Sequence, residues 1–434
     1  MKKIYVGIIG FGTVGKGLAH TLIDQKQRII EQMGAEIVLS QAASTSLESL
    51  PEKFAHVLPT KHGEDIINNP DIDIVVELIG GMEPAKSFLL QAIENGKHVV
   101  TANKALLSVH GREIFAAAAK AGVEVGFEAS VGGGIPVIKA LKEGLAANRI
   151  NSIKGIMNGT GNYILTQMAE HGLPFAEVLK TAQKLGYAEA DPTYDVEGID
   201  TAHKLAILMN IAYGMNVHLD DISIEGISSI EPVDLEMAEN LSYRIKLLAV
   251  SNNHGEHVEA RVHPAMVPEN HMLAAVGGAF NAIYFNGDTV GDVMLYGPGA
   301  GMMPTGSAVA ADVVDIGRNI LSGAVGRVPA LAWQPENMVK PSITPMGELV
   351  CPFYFRLAVN DNPELLAEVT EIFAKYHIQI SLLEKRSCDA ENLSCLVFIT
   401  EKAKEAETVK AVDEINRLKG VVKPVIKIRI LAEN

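Results

Sequence analysis

The first 350 residues contain no cysteine; Cys351, Cys388 and Cys395 all lie beyond them. That absence excludes a thiol nucleophile and a cysteine-liganded zinc from most of the chain. It also argues against a disulfide framework. Long apolar runs are missing as well, and no stretch approaches the ~18 residues that span a bilayer. The opening "MKKIYVGIIGFG" imitates a secretory signal, but Gly7, Gly10, Gly12 and Gly15 break it, so it reads as a buried first strand. Basic residues are outnumbered, 37 Lys and Arg against 52 Asp and Glu, for a net charge of −15. Nucleic acid and anionic membrane are therefore excluded as partners, while a small anionic ligand is not. Repeats and low-complexity tracts are absent, and a cytoplasmic protein is expected.

What is present is large: 434 residues, 48% of them hydrophobic, enough for two or three domains. Residues 1–130 alternate short apolar strands (4–10, 36–43, 73–80, 98–103, 123–129) with helical stretches, the pattern of a parallel sheet. Residues 131–325 read as an α+β second domain, and a glycine-rich turn and helix near 300–325 are expected to return to the first. Prolines 329, 335, 341 and 345 mark a linker over 326–349. The tail, 350–434, reads strand, helix, strand, strand, helix, strand, a ferredoxin-like order. The fold class is thus α/β.

"GFGTVG" sets Gly10, Gly12 and Gly15 in G-x-G-x-x-G spacing, between a buried strand and a helix, which is the context of a dinucleotide site. The second strand ends in "QAASTS" (41–46), without the carboxylate that grips a ribose 2′-hydroxyl. NADP is slightly favoured, with Ser44, Thr45 or Ser46 as donors, and dual specificity is equally open. Lys104 in "TANKALL" follows a strand whose C-terminal end faces the cofactor crevice. "EASVGGGIPV" (128–137) could turn carbonyls toward one cation beside Glu128, although spacing alone favours a hinge. "DPTYDVEGIDTAHK" (191–204) crowds Asp191, Asp195, Glu197 and Asp200 before Lys204. Asp200 and Lys204 stand at i and i+4 on one helix face; His203 points off it and reads as incidental. A nicotinamide implies hydride transfer, and without cysteine the remaining chemistry is carbonyl/alcohol interconversion. A lysine whose pKa is lowered by a second lysine suits the proton transfer.

The run A182-x-x-x-G186-Y-A-x-x-D191-P-x-x-D195-V-x-G-x-D200-x-x-x-K204 resembles the signature of homoserine dehydrogenase. "GIMNGTGNYIL" (155–165), "TANKALL", "EASVGGGIPV" and "YGPGAG" (296–301) resemble that family's motifs in its order, and the tail resembles an ACT regulatory domain. The resemblance spans the chain and suggests the monofunctional form. It implies a Rossmann domain, a catalytic and dimerisation domain and an ACT module. The implied reaction is NAD(P)H-dependent reduction of L-aspartate 4-semialdehyde to L-homoserine, on the route to threonine and methionine. Lys204 would carry the proton, Asp195 would support it, and Lys104 would meet substrate and cofactor. Glu189 and Asp200 would grip the substrate amino end. Thr13, Val14, Gly80, Gly186 and Gly301 would join Gly10, Gly12 and Gly15 at the cofactor. Glu128 and the carbonyls of Val131, Gly133 and Ile135 would hold Na+ or K+. A homodimer or homotetramer is implied, with threonine as a possible effector at the tail. There Asp361, Asn362 and Pro363 are followed by Glu364 where ACT domains usually carry glycine, so a weakened or altered response is expected. Another carbonyl or imine reductase, or a non-catalytic amino-acid sensor, are the competing readings.

Overall fold

The computed structural model describes residues 1–46, 49–360, 363–388 and 393–432. The chain forms two compact units. One comprises Met1–Gly159, Asp200–Ile222 and Phe280–Pro341; the other comprises Thr160–Ile199, Ser223–Ala279 and Ser342–Asn434.

The first unit is built on six parallel strands: β1 (Lys3–Ile9), β2 (Glu36–Ala43), β3 (Leu58–Thr60), β4 (Ile74–Glu77), β5 (His98–Thr101) and β6 (Val125–Gly126). Their order, 3-2-1-4-5-6, is that of the doubly wound dinucleotide fold, with its crevice beyond the carboxyl ends of the strands. Ile4, Val6, Ile8, Ile74 and Val76 are buried because helices cover both sheet faces, as parallel strands require. The predicted strand 123–129 is shorter than expected. Gly126 lets β6 approach Asp312 closely, and Glu128–Ser130 then coils into a helical turn.

Four helices matter for the site: α1 (Thr13–Asp24), α2 (Lys104–Ala121), α3 (Ile199–Tyr213) and α4 (Met302–Ser322). The chain does return at α4, which packs on α1 through the shared core of Leu18, Leu22, Val309 and Val313. Gly17 and Gly306 make this crossing possible: a Cβ on Gly17 would collide with the Met302 carbonyl, and one on Gly306 with Gly17. Three antiparallel strands, Ile150–Ile156, Phe280–Gly287 and Gly291–Pro298, complete the unit.

In the second unit, Tyr243–Asn253 pairs antiparallel with Val258–Pro268. The tail has strands Phe353–Val359, Ile380–Cys388, Leu393–Thr400 and Ile426–Ile430, with helices Pro363–Lys375 and Glu405–Ile415. Phe353–Val359 lies between Leu393–Thr400 and Ile426–Ile430, giving the ferredoxin-like arrangement. This module is not free-standing, because Ile426–Ile430 also pairs parallel with Val258–Pro268. Two buried ion-pair groups reinforce the junction. Arg356 Nε donates to Asp234 Oδ1 at 2.6 Å, and Arg429 joins Glu225 and Glu405 at 2.7–2.8 Å. Cys351 is a buried free thiol, whereas Cys395 is disulfide-bonded, a correction to the expectation of no such bond. Asp361 and Asn362, on which the tail's altered turn was read, lie outside the described residues. Among the described residues no helix is long and apolar enough to cross a membrane.

Candidate active site

The loop after β1 is shaped by its glycines. Gly10 has φ +104°, and a side chain there would collide with the backbone of Leu78 and Ile79. A Cβ on Gly15 would strike the Gly10 carbonyl, so helix and turn need that glycine. Gly12 faces open space, leaving its backbone approachable. Thr13 and Val14 begin α1, whose first turn has neither a side-chain cap nor an acidic residue, so its amides can receive an anion. Gly301, φ +121°, caps α4 in the same uncapped manner.

The neighbouring loops are tied together by Glu77, which is fully buried at the end of β4. It accepts Thr101 Oγ1 at 2.6 Å, Ile79 N at 2.8 Å and Gly80 N at 3.2 Å. Burial pushes its carboxyl up, and those three donors pull it back. Thr101 Oγ1 in turn accepts Asn103 N at 3.0 Å. Asn103 caps α2 through Leu106 N and donates its side-chain amide to Gly81 O at 2.6 Å. One network thus fixes the Gly80 loop and the start of α2, where Lys104 is the first residue. Glu77→Ala would leave the buried Thr101 hydroxyl and the partly buried Ile79 and Gly80 amides without their acceptor, costing about 1–3 kcal/mol. Chemical denaturation should show that loss; a variant as stable as wild type would refute this account.

Lys104 and Lys204 converge on one carboxylate. Lys104 Nζ lies 2.7 Å from Asp200 Oδ1, and Lys204 Nζ lies 2.7 Å from Oδ2. Lys204 also donates to Met157 O at 2.6 Å, and Asn158 Nδ2 to Asp200 Oδ2 at 2.9 Å. Burial alone would raise the Asp200 carboxyl, but the Lys204 and Lys104 ammoniums outweigh it and hold it well below the usual carboxylate range. Lys204 is 9% exposed at its side chain and Lys104 40%, so one lysine is enclosed while the other reaches outward. Asn158 and the Met157 carbonyl were not singled out from the sequence; their signal was the "MNG" (157–159) that follows the strand Ile150–Ile156. His203 has a packing role. It is buried with its Nδ1 2.5 Å from Ser108 Oγ, which clamps α3 against α2 within four residues of Lys104.

The remaining expected residues divide between two places. Glu128 is buried, and its carboxylate accepts Ile138 N at 2.7 Å and Lys139 N at 2.8 Å. Gly132 and Gly133 have φ +73° and +56°, close to Val131 and Ile135 in the chain; the Ile135 carbonyl already accepts Val137 N at 2.8 Å. No cluster of three His, Cys, Asp or Glu suited to a metal occurs among the described residues. A site built chiefly from carbonyls does not require one. Gly186, Glu189 and Asp195 belong to the second unit. There Gly186 turns the chain with φ +78° after the helix Phe175–Lys184, and Glu189 is exposed. Asp195 lies in the short helix Thr193–Val196, which Asp191 starts by accepting Thr193 N at 3.1 Å and Oγ1 at 2.6 Å.

Comparison with known proteins gives these features a family. The model of the homoserine dehydrogenase NAD-binding domain matches residues 10–128, and that of homoserine dehydrogenase matches 136–314. The chain is 46% identical to a homoserine dehydrogenase of Pseudomonas aeruginosa and 44% to one of Neisseria gonorrhoeae, over 99% of each chain. The crystal structure of a homoserine dehydrogenase from Thiobacillus denitrificans superposes with a TM-score of 0.93 at 45% identity, covering 99% of both chains. An archaeal homoserine dehydrogenase in complex with NADPH, 25% identical, matches 72% of this chain with a TM-score of 0.62. With a Rossmann sheet, a glycine-shaped anion loop and two lysines on one buried aspartate, the chain belongs to the homoserine dehydrogenase family, NAD(P)-dependent oxidoreductases.

Proposed function

We propose that the chain reversibly reduces L-aspartate 4-semialdehyde to L-homoserine, with Lys204 as proton donor and acceptor. The observation carrying this reading is the Lys104–Asp200–Lys204 group at the carboxyl edge of the parallel sheet. A bound nicotinamide supplies the hydride; Gly10, Gly12, Thr13, Val14, Gly15 and Gly301, with Gly80 and Gly186, would hold the dinucleotide. Lys204 Nζ gives its proton to the carbonyl oxygen as that oxygen gains charge, and takes one back in the reverse direction. Two ammoniums on one carboxylate repel each other, which eases release of that proton. Asp200 has both oxygens engaged by lysines, so it serves first to aim them. Glu189 is then left as the main acceptor for the substrate ammonium, with Asp195 supporting Lys204. Glu128 and the carbonyls of Val131, Gly133 and Ile135 would hold Na+ or K+, with the two backbone amides leaving lone pairs on the carboxylate.

NADPH is the favoured cofactor, because β2 is followed by Ser44 and Thr45 and no carboxylate. Oxidation of NADPH and NADH with L-aspartate semialdehyde, measured side by side, tests both points. Turnover with neither cofactor sinks the substrate assignment, and faster NADH oxidation overturns the preference. Threonine is proposed as a weak effector at the ferredoxin-like tail, whose helix Pro363–Lys375 carries Glu364 in its first turn. Millimolar threonine should leave most activity in place, and full inhibition would show an intact effector site. The cytoplasm and a homodimeric or homotetrameric assembly complete the reading.

A further inference from the structure

A cavity of about 500 Å3 lies within the first unit, between α2, β6, α4 and the segment 326–338. Phe115, Phe127, Ile316, Leu331 and Trp333 make its apolar wall. The indole is fixed in place, since Trp333 Nε1 donates to Ile211 O at 2.7 Å. Size and lining match a small-molecule site, which is mostly apolar with a few converging polar groups. None of Lys104, Asp200 and Lys204 borders it.

Most charges around the cavity are internally satisfied. Lys139 pairs with Asp315 at 2.8 Å, Arg327 with Glu143 at 2.7 Å, and Glu124 accepts Asn319 Nδ2 and Gly326 N. Arg112 is exposed, and of the remaining charges two are different. Among the described residues Lys142 makes no hydrogen bond or ion pair, its Nζ standing 5.4 Å from the Phe127 ring centroid. Asp312 accepts Glu128 N through Oδ2 at 2.8 Å, and among the described residues its Oδ1 has no partner. Lys142 and Asp312 both line the cavity, so the two face a common space.

We infer that this cavity binds an α-amino acid with an apolar side chain, its carboxylate on Lys142, its ammonium on Asp312 and its side chain against Phe115 and Trp333. A single carbon bearing both charges meets both unsatisfied groups at once. A bare metal cation would serve Asp312 but repel Lys142, and an inorganic anion would do the reverse; neither would use the aromatic wall.

Calorimetric titration of the full-length protein, without cofactor or substrate, tests this independently of turnover. L-Leucine, L-methionine and L-phenylalanine are the probes, with L-threonine reporting on the tail. Binding of at least one probe is expected, weakened about tenfold or more by Lys142→Met and by Asp312→Asn, as loss of one partner of a buried charge contact implies. The threonine response should be unchanged in both variants. Should either variant unfold, Trp333→Ala provides the third reading, with the same expected weakening. No heat from any probe at about 10 mM, well above a ~1 mM affinity, overturns the inference. So does binding that is indifferent to all three substitutions. Equal affinity for 4-methylpentanoate, which lacks the ammonium, overturns recognition of the zwitterion.

Discussion

Lys204→Ala should lower kcat by about 100- to 10,000-fold, the usual worth of a positioned general acid, while leaving NADPH affinity nearly unchanged. Lys204 is enclosed, 2.7 Å from Asp200 and 2.6 Å from the Met157 carbonyl, so no water can easily take its place as proton donor. Removing it leaves Asp200 with Lys104 and Asn158, so the carboxylate is still paired and the fold should survive. Lys204→Arg offers the sharper comparison. It keeps the positive charge but cannot release a proton near neutral pH, so it should be about as slow as the alanine variant. NADPH binding by fluorescence titration and single-turnover kinetics with aspartate semialdehyde separate the two effects. A Lys204→Ala enzyme retaining a large share of wild-type kcat would remove Lys204 from proton transfer and move attention to the more exposed Lys104.

The parts of this site that the sequence discloses are those whose cause is local. Gly10 and Gly15 lie five residues apart, and the clash that demands a glycine at 15 is with the Gly10 carbonyl itself. Asp200 and Lys204 are one helical turn apart, so their contact follows from helix geometry. Lys104 is 96 positions from Asp200, and nothing in spacing joins them. Only its place after a parallel strand, and the family resemblance, put it at the crevice. His203 reads as incidental to the chemistry, and its packing role was not legible from spacing for a definite reason. Assigning it to a non-functional face presumes an amphipathic helix, whereas α3 is buried nearly all round, so each of its faces meets protein. Asn158 escaped notice because one amide after a strand has no periodicity to mark it. The role of Glu77 was equally hidden, since Thr101, at the end of the neighbouring strand, meets it only in the folded sheet.

Asp200→Ala should be the most damaging single change in the first unit. It leaves the buried Lys204 ammonium on the Met157 carbonyl without its carboxylate, and removes the carboxylate that Lys104 faces. Breaking a buried pair by deleting one partner costs about 3–5 kcal/mol, more than deleting both, because the remaining charge has lost its compensation. Activity should fall along with stability, since neither lysine is then aimed. The double variant Asp200→Ala/Lys204→Met discriminates between the two losses: it should recover much of the stability and none of the turnover. The pH dependence has a fixed sign. Folding holds the Asp200 carboxyl below its ordinary value of 3.8, so the stability it contributes is complete above that pH. That stability drains away as the pH falls toward the lower folded value. Wild type should therefore lose stability below about pH 4 with a slope that Asp200→Asn lacks, given that the unfolded carboxyl titrates near ~3.9. Denaturation midpoints collected between acid and neutral pH for both proteins make the comparison. Parallel curves would mean that the two lysines contribute nothing to the fold through Asp200, and that the carboxylate is held there for the reaction alone.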